Sequence, residues 1–184
     1  MAKNGNMKLS ILICTIPERQ DFLNRLMDIL TEQDGDYEIL INASEHATIG
    51  AKRNALLNEA GGEYMAFIDD DDKVSENYVS LLMEGINKGV DCCSLTGLIT
   101  FDGKNPKKFI HSIKFKSWYE DNGVYFRNPN HLNCLKTELA RKAKFPETNH
   151  GEDRSFSDQL FKLGVLQTEH EIKQVIYFYE HRTK

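Results

Sequence analysis

Tyr64-Met65-Ala66-Phe67-Ile68-Asp69-Asp70-Asp71-Asp72 is the stretch from which the chain is best read. Its first half is apolar, preceded by the turn signal Gly61-Gly62, and predicts a short buried strand. Its second half is four adjacent carboxylates, which repel one another unless something offsets the charge. Full solvation on a loop is one solution, and runs of like charge commonly adopt it. A divalent cation is the other, because it takes hard oxygen ligands and bridges to phosphates. Open α/β sheets place their ligands beyond the carboxyl ends of their strands, which is where these acids would stand. An EF-hand loop is excluded: counted from Asp69, the sixth position is Val74, where that loop needs glycine. Asp69 to Lys73 also spells a protease tag, a coincidence for a run set between a strand and a helix.

Working outward, the elements alternate. Leu9–Cys14 predicts a first strand, 18–30 an amphipathic helix through Phe22, Leu23, Leu26, Met27 and Leu30, and 37–41 a second strand. A helix over 49–60 stops at Gly61-Gly62, and 65–68 is the third strand. Ser75 is positioned to cap a third helix whose inner face is Tyr78, Val79, Leu82, Met83 and Ile86. Asp72 would then serve that helix as an N-terminal charge. This βαβαβα order predicts a parallel sheet with right-handed crossovers. The second half changes character, with strands at 92–101, 108–118, 124–126, 131–135 and 175–179. Thr137 is placed to cap a brief helix before Pro146, and 152–163 predicts another, ended by Gly164. The expectation is one α/β domain over 1–184, a mixed but mostly parallel sheet flanked by helices.

Composition sets limits. At 184 residues, 40% hydrophobic and 28% charged, the chain has the make-up of one soluble globular domain. No stretch approaches the roughly 18 apolar residues of a membrane span. The N-terminal Met1-Ala2-Lys3-Asn4-Gly5-Asn6 lacks the apolar core of a secretory signal. Cys14, Cys92, Cys93 and Cys134 form no CxxC pair, which argues against zinc and for buried, reduced thiols in a cytoplasmic protein. A formal net charge of −5 argues against general duplex-DNA binding. Residues 104–116 are the local exception, with five lysines, one histidine and no acids. They predict either a solvated sheet face or a surface for an anionic or carbohydrate acceptor.

Several motifs in order carry a resemblance. An opening strand runs into Cys14-Thr15-Ile16-Pro17-Glu18-Arg19. Gly50-Ala51-Lys52-Arg53-Asn54 opens a helix. Phe67-Ile68-Asp69-Asp70-Asp71-Asp72 contains a DxD block, His150-Gly151-Glu152-Asp153 a later acidic pair, and Glu180-His181-Arg182 a late histidine. Together they resemble the nucleotide-sugar glycosyltransferases of the GT-A fold, closest to the large inverting family 2, over most of the chain. The resemblance implies a nucleotide-sugar-binding half over about 1–100 and an acceptor half over about 101–184. It implies a nucleotide-sugar donor, UDP-linked, and a divalent Mn²⁺ or Mg²⁺ held by Asp71 and Asp69, with His181 completing the site. Thr15, Pro17, Glu18, Asn42, Lys52, Arg53, Asp69 and Asp70 fall at nucleotide-sugar-binding positions. Arg53 would meet the base or the diphosphate through its planar fork, or Lys52 and Arg53 would be a solvated helix face. Residues 42–45 depart from the family's common acidic pattern.

By the same resemblance Asp153 is the base that deprotonates the acceptor hydroxyl, and a helix N-terminus favours its charged form. Glu152 and His131 fall on the acceptor side, where His131 could equally be a satisfied strand histidine. Glu152 and Asp153 could be plain helix-start acids, and Asp158 is read as surface. The acceptor stays open among a glycan, a lipid-linked glycan, a protein and a nucleic acid. Two other classes compete. A haloacid-dehalogenase-like phosphatase also places DxD after an apolar strand, but an early one. A noncatalytic nucleotide-sugar or metal-binding module would keep the groove and need no base. A sugar nucleotidyltransferase would need a Gly-rich opening loop that does not follow Cys14.

Overall fold

β1 (Leu9–Cys14) is buried at all six positions and forms the spine of the molecule. The computed structural model describes residues 7–182, so the N-terminal Met1 to Asn6 lies outside the described residues. β1 pairs in parallel with β2 (Tyr37–Asn42) and β3 (Tyr64–Phe67), one on each side. The period-two alternation of a strand divides β1 between two cores. Leu9, Ile11 and Ile13 face a cluster that includes Leu23, Leu26 and Leu30 of α1 (Gln20–Thr31) and Tyr78, Val79, Leu82 and Ile86 of α3 (Tyr78–Asn87). Leu12 and Cys14 face a second cluster with Leu56 and Leu57 of α2 (Ile49–Glu59) and Phe156 and Leu160 of α5 (Glu152–Leu163). Helices on both faces explain why β1 carries no exposed residue.

The strands form two six-stranded sheets among the described residues, where the sequence predicted one. The first runs on from β3 through β10 (Leu135–Lys136), antiparallel, to β5 (Cys92–Cys93) and then β11 (Glu169–His170). The second has the order β4 (Lys73–Val74), β12 (Tyr177–His181), β6 (Leu95–Phe101), β7 (Lys104–His111), β9 (Val124–Arg127), β8 (Tyr119–Asp121). The apolar run 92–101 is therefore two strands. At Ser94 the chain passes from one sheet to the other, its N–H donating to His170 O and its hydroxyl accepting from the Ile172 N–H.

Other predicted elements are shorter, because side chains take the backbone partners that a strand or cap would use. The strand expected over 108–118 ends at His111, where Glu169 accepts from the Ser112 hydroxyl and the Ile113 N–H. Over 131–135 the side-chain oxygens of Asn133 and Asn130 accept from the N–H groups of Asn130 and Leu132, making a turn that leaves only Leu135–Lys136 as strand. Ser75 does not cap α3 with its side chain. The Tyr78 N–H donates to the Ser75 carbonyl, and the distant Gln33 side chain accepts from the Val79 N–H. Thr137 lies inside α4 (Thr137–Ala140) and donates to Gly62 O. Asp72 does not open a helix, since β4 intervenes before α3 begins at Tyr78.

All four cysteines are buried free thiols, as expected. Two of the five lysines of the lysine-rich stretch are offset in place, Lys107 on Glu120 and Lys114 on Glu171. No helix among the described residues is long and apolar enough to cross a membrane.

Candidate active site

β1, β2 and β3 end at one edge, and the groups singled out in the sequence gather there. Thr15 follows β1, its N–H donating to Asn42 O at the end of β2. The acidic run follows β3. Its four residues alternate: Asp69 and Asp71 keep side-chain exposures of 33% and 23% towards a groove, while Asp70 and Asp72 are 4% and 2% exposed overall.

Each inward acid has an internal partner set. Asp70 Oδ2 accepts from Thr15 Oγ1 at 2.6 Å and Arg19 Nε at 3.0 Å, and Arg19 Nη2 lies 2.5 Å from Oδ1. Arg19 also reaches Asp71 at 2.8 Å and so bridges the two carboxylates. Asp72 accepts from the Tyr177 hydroxyl at 2.7 Å and the Glu180 N–H at 3.1 Å. Tyr177 in turn accepts from the Asp69 N–H at 3.2 Å, so one buried phenol ties both ends of the run. Burial pushes Asp72 well above the usual carboxylate range, and the negative charge of Asp69 adds to the shift. Asp69 goes the other way. Burial alone would raise it, but the Arg53 guanidinium and His131 hold it below the usual range.

Arg53, on the first turns of α2, is 4% exposed and spans two carboxylates. Nη1 lies 2.6 Å from Glu152 Oε1 and Nη2 lies 3.0 Å from Asp69 Oδ1. Its fork is thus occupied by the protein, and Glu152 of α5 is its buried counterion. Lys52 is buried as well, with Nζ donating to Thr15 O at 2.8 Å. Asp153, the next residue of α5, is partly exposed and accepts from the Arg154 N–H.

Two cavities meet at this edge. The larger, about 730 Å³, is lined by Thr15, Lys52, Asp70, Asp71 and His181. The smaller, about 350 Å³, is lined by His131, Glu152 and Asp153 together with Trp118 and Arg127. Arg53, Asp69, Asn149 and Tyr179 border both. The structure thus brings together most of the residues expected from the sequence. It does not bring in Pro17 and Glu18, which are exposed on a single 3-10 turn, nor Asn42, whose side chain accepts from the Ser44 N–H. Asp158 is exposed. His131 is 3% exposed, with Nε2 3.8 Å from Asp69 Oδ2. His181 ends β12, its ring against Phe101 and its Nδ1 3.4 Å from the Tyr179 hydroxyl.

Arg19, Tyr177, Asn149 and Arg127 were missed by residue-level reading. Arg19 had a signal, a lone cation in the loop after β1. Tyr177 had none, since a tyrosine in an apolar strand reads as core. Cys14 borders the groove but is no nucleophile, as burial pushes its thiol up to about 12.

The donor set suits a divalent cation in kind. Asp69 and Asp71 present hard oxygens to one groove, and His181 stands on its wall. Among the described residues no three acid, histidine or cysteine side chains already converge in a metal-holding cluster.

An edge of parallel strands, a carboxylate-lined groove and an adjoining pocket define the class: this is the GT-A glycosyltransferase fold. Solved structures share it. S. aureus TarS 1-349 in complex with UDP-GlcNAc superposes with a TM-score of 0.71 at 15% identity, over 97% of this chain and 60% of that one. S. aureus TarS 1-349 in complex with UDP gives 0.62 at 18% identity, over 95% and 60%. Residues 19–147 match the model of glycosyl transferase family 2. The chain belongs to that family. Glycosyltransferase GlyA of Streptococcus pneumoniae serotype 4 (strain ATCC BAA-334 / TIGR4) is 31% identical over 96 residues, which is 50% of this chain and 14% of that protein.

Proposed function

We propose that the chain is a metal-dependent, inverting transferase that moves a sugar from a UDP-sugar to an acceptor hydroxyl. The observation that carries this reading is the meeting of two cavities at Asp69, with Asp71 on the larger and Asp153 on the smaller. The larger would take the nucleotide and diphosphate, as one half of a two-substrate site. The named ligands of the TarS structures, UDP and UDP-GlcNAc, support uridine as the base.

Asp71 and Asp69, with His181, would hold Mn²⁺ or Mg²⁺. Bound there, the ion supplies Lewis-acid neutralisation of the leaving diphosphate. The protein's own groups do the rest. Arg53 keeps Asp69 ionised and fixes its orientation. Arg19 and Arg182, 36% and 38% exposed at their side chains, are the groove's partly exposed arginines and would meet a diphosphate. Thr15 and Lys52 shape the loop after β1. Asp153 takes the proton of the acceptor hydroxyl, and the acceptor oxygen attacks the anomeric carbon on the face opposite UDP. Glu152 acts through Arg53, and His131 walls the acceptor side.

The test is incubation with a panel of UDP-sugars and Mn²⁺, following UDP release and the anomeric configuration of the product by NMR. The reading predicts release with one or a few donors and a product of inverted configuration. Retained configuration would remove Asp153 from the role of base. Nucleotide binding without turnover on any acceptor class would favour a noncatalytic binding module.

A further inference from the structure

The smaller cavity holds polar groups that the protein does not satisfy. Among the described residues, His111 Nε2, Trp118 Nε1 and Asn130 Nδ2 are buried without a hydrogen-bond partner, and neither ring nitrogen of His131 makes a hydrogen bond of 3.5 Å or less, its Nε2 standing 3.8 Å from Asp69 Oδ2. All four side chains line this one cavity. His111, Asn130 and His131 are 0%, 1% and 3% exposed. Buried polar atoms in native proteins are nearly always paired, so such a concentration calls for a bound polar partner.

Arg127 adds a charge to that demand. It ends β9, and its guanidinium lies 4.4 Å from the Trp118 ring centroid. The other arginines that line the two cavities are all paired: Arg19 and Arg53 each bridge two carboxylates, and Arg182 holds Glu180. Arg127 has no ion pair within 4 Å among the described residues, although it is largely buried and burial pushes its pKa down. Asp153 is the foremost carboxylate acting on it, without direct contact. A cation so placed is stabilised by an incoming anion.

The unpartnered atoms also differ in kind. Asn133 Oδ1 lies 3.3 Å from His111 Nδ1 and already accepts from the Asn130 N–H, so His111 Nδ1 carries the proton. His111 Nε2 then carries a lone pair, with the Asn130 side chain close enough to act on the ring. Trp118 Nε1 and Asn130 Nδ2 present N–H groups, and neutral His131 offers one of each. Hydroxyl groups, which both donate and accept, match such a mixture. A cavity of about 350 Å³ is at the small end of the ~300–1,000 Å³ range of ligand sites.

We propose that this cavity takes a sugar-sized polyol bearing one anionic group, a phosphate ester or a carboxylate. The anion sits on Arg127 against Trp118, and the hydroxyls reach His111, Asn130 and His131. The inference rests on the two-cavity reading above and names a substrate class within it. It moves anion recognition from the lysines of 104–116, two of them ion-paired, to the cavity. The charged group could belong to an acidic donor sugar or to a phosphorylated acceptor.

Trp118 is the sole tryptophan of the chain, so its fluorescence reports this cavity directly. One arm titrates protein saturated with UDP and Mn²⁺ with glycerol 3-phosphate against glycerol, and glucose 6-phosphate against glucose. The other titrates with UDP-glucuronate against UDP-glucose. The charged member of at least one arm is expected to half-saturate at tenfold or more lower concentration. The arm that responds assigns the anion to acceptor or donor. Arg127→Gln should abolish the preference and Arg127→Lys should keep part of it, with thermal melting checked on both. Equal response to charged and neutral members in every arm, with UDP bound, overturns the proposal. So does a preference that survives in Arg127→Gln. Failure of UDP itself to bind wild type is a separate result and strikes the donor reading first.

Discussion

Asp69 and Asp71 differ from Asp70 and Asp72 in direction, not in chemistry. The run is a tight turn closed by the Asp72 N–H donating to the Asp69 carbonyl, and one pair of side chains faces the groove while the other is consumed by Arg19, Thr15 and Tyr177. Four acids in a row were legible in the sequence as a site, but their division was not, because the partners come from residues over fifty positions away. Asp153→Asn should lower kcat by about 10²–10⁴-fold, the usual worth of a general base, with UDP affinity little changed in calorimetry. A parallel fall in UDP affinity would place Asp153 elsewhere in the reaction. His111 gives a pH test. Burial pulls its pKa down from 6.5 to about 3, so below pH 6.5 the unfolded chain binds a proton that the folded protein refuses. Stability contributed by neutral His111 is therefore lost as pH falls from about 6.5 towards 3. Relative to His111→Gln, wild type should lose about 1.4 kcal/mol per pH unit between pH 6 and 5 in urea unfolding. Parallel pH profiles would contradict this.

At the scale of elements, two contacts hold the edge in shape. Tyr177 of β12 reaches across to the run after β3 and joins the two sheets at the site. Tyr177→Phe leaves a buried Asp72 oxygen without its donor and should cost about 1–3 kcal/mol in denaturant unfolding. A loss below about 0.5 kcal/mol would mean that water replaces the phenol. Gly50 sets the other contact. A Cβ there would lie 1.8 Å from the Pro146 carbonyl oxygen, and the Gly50 N–H already donates to Thr148 O. This close approach seats Asn149, which accepts from the Ile49 N–H and borders both cavities. Gly50→Ala should cost about 1–3 kcal/mol by overpacking and displace residues 146–149. A melting temperature equal to wild type would show that the segment yields freely.

For the whole molecule, the first half was readable because β1, α1, β2, α2 and β3 carry strong periodicity and lie in sequence order. The second half was not, because its partition into two sheets turns on single side chains. Ser94 and Glu169 decide where strands leave the ladder, and nothing local marks them. The lysine stretch could not be resolved locally for a related reason. Two of its charges are answered by Glu120 and Glu171, which lie outside it in sequence, while Arg127, a cation on the smaller cavity without an ion pair among the described residues, is a single residue in an ordinary strand. Family resemblance supplied Asp153, whose place on the cavity that Asp69 borders only the fold makes visible.

The most direct test of the two-cavity account is calorimetric titration of UDP into the protein with and without Mn²⁺, alongside Asp71→Ala. The account predicts binding that Mn²⁺ strengthens at least tenfold and that the variant loses. UDP affinity indifferent both to Mn²⁺ and to Asp71→Ala would contradict it.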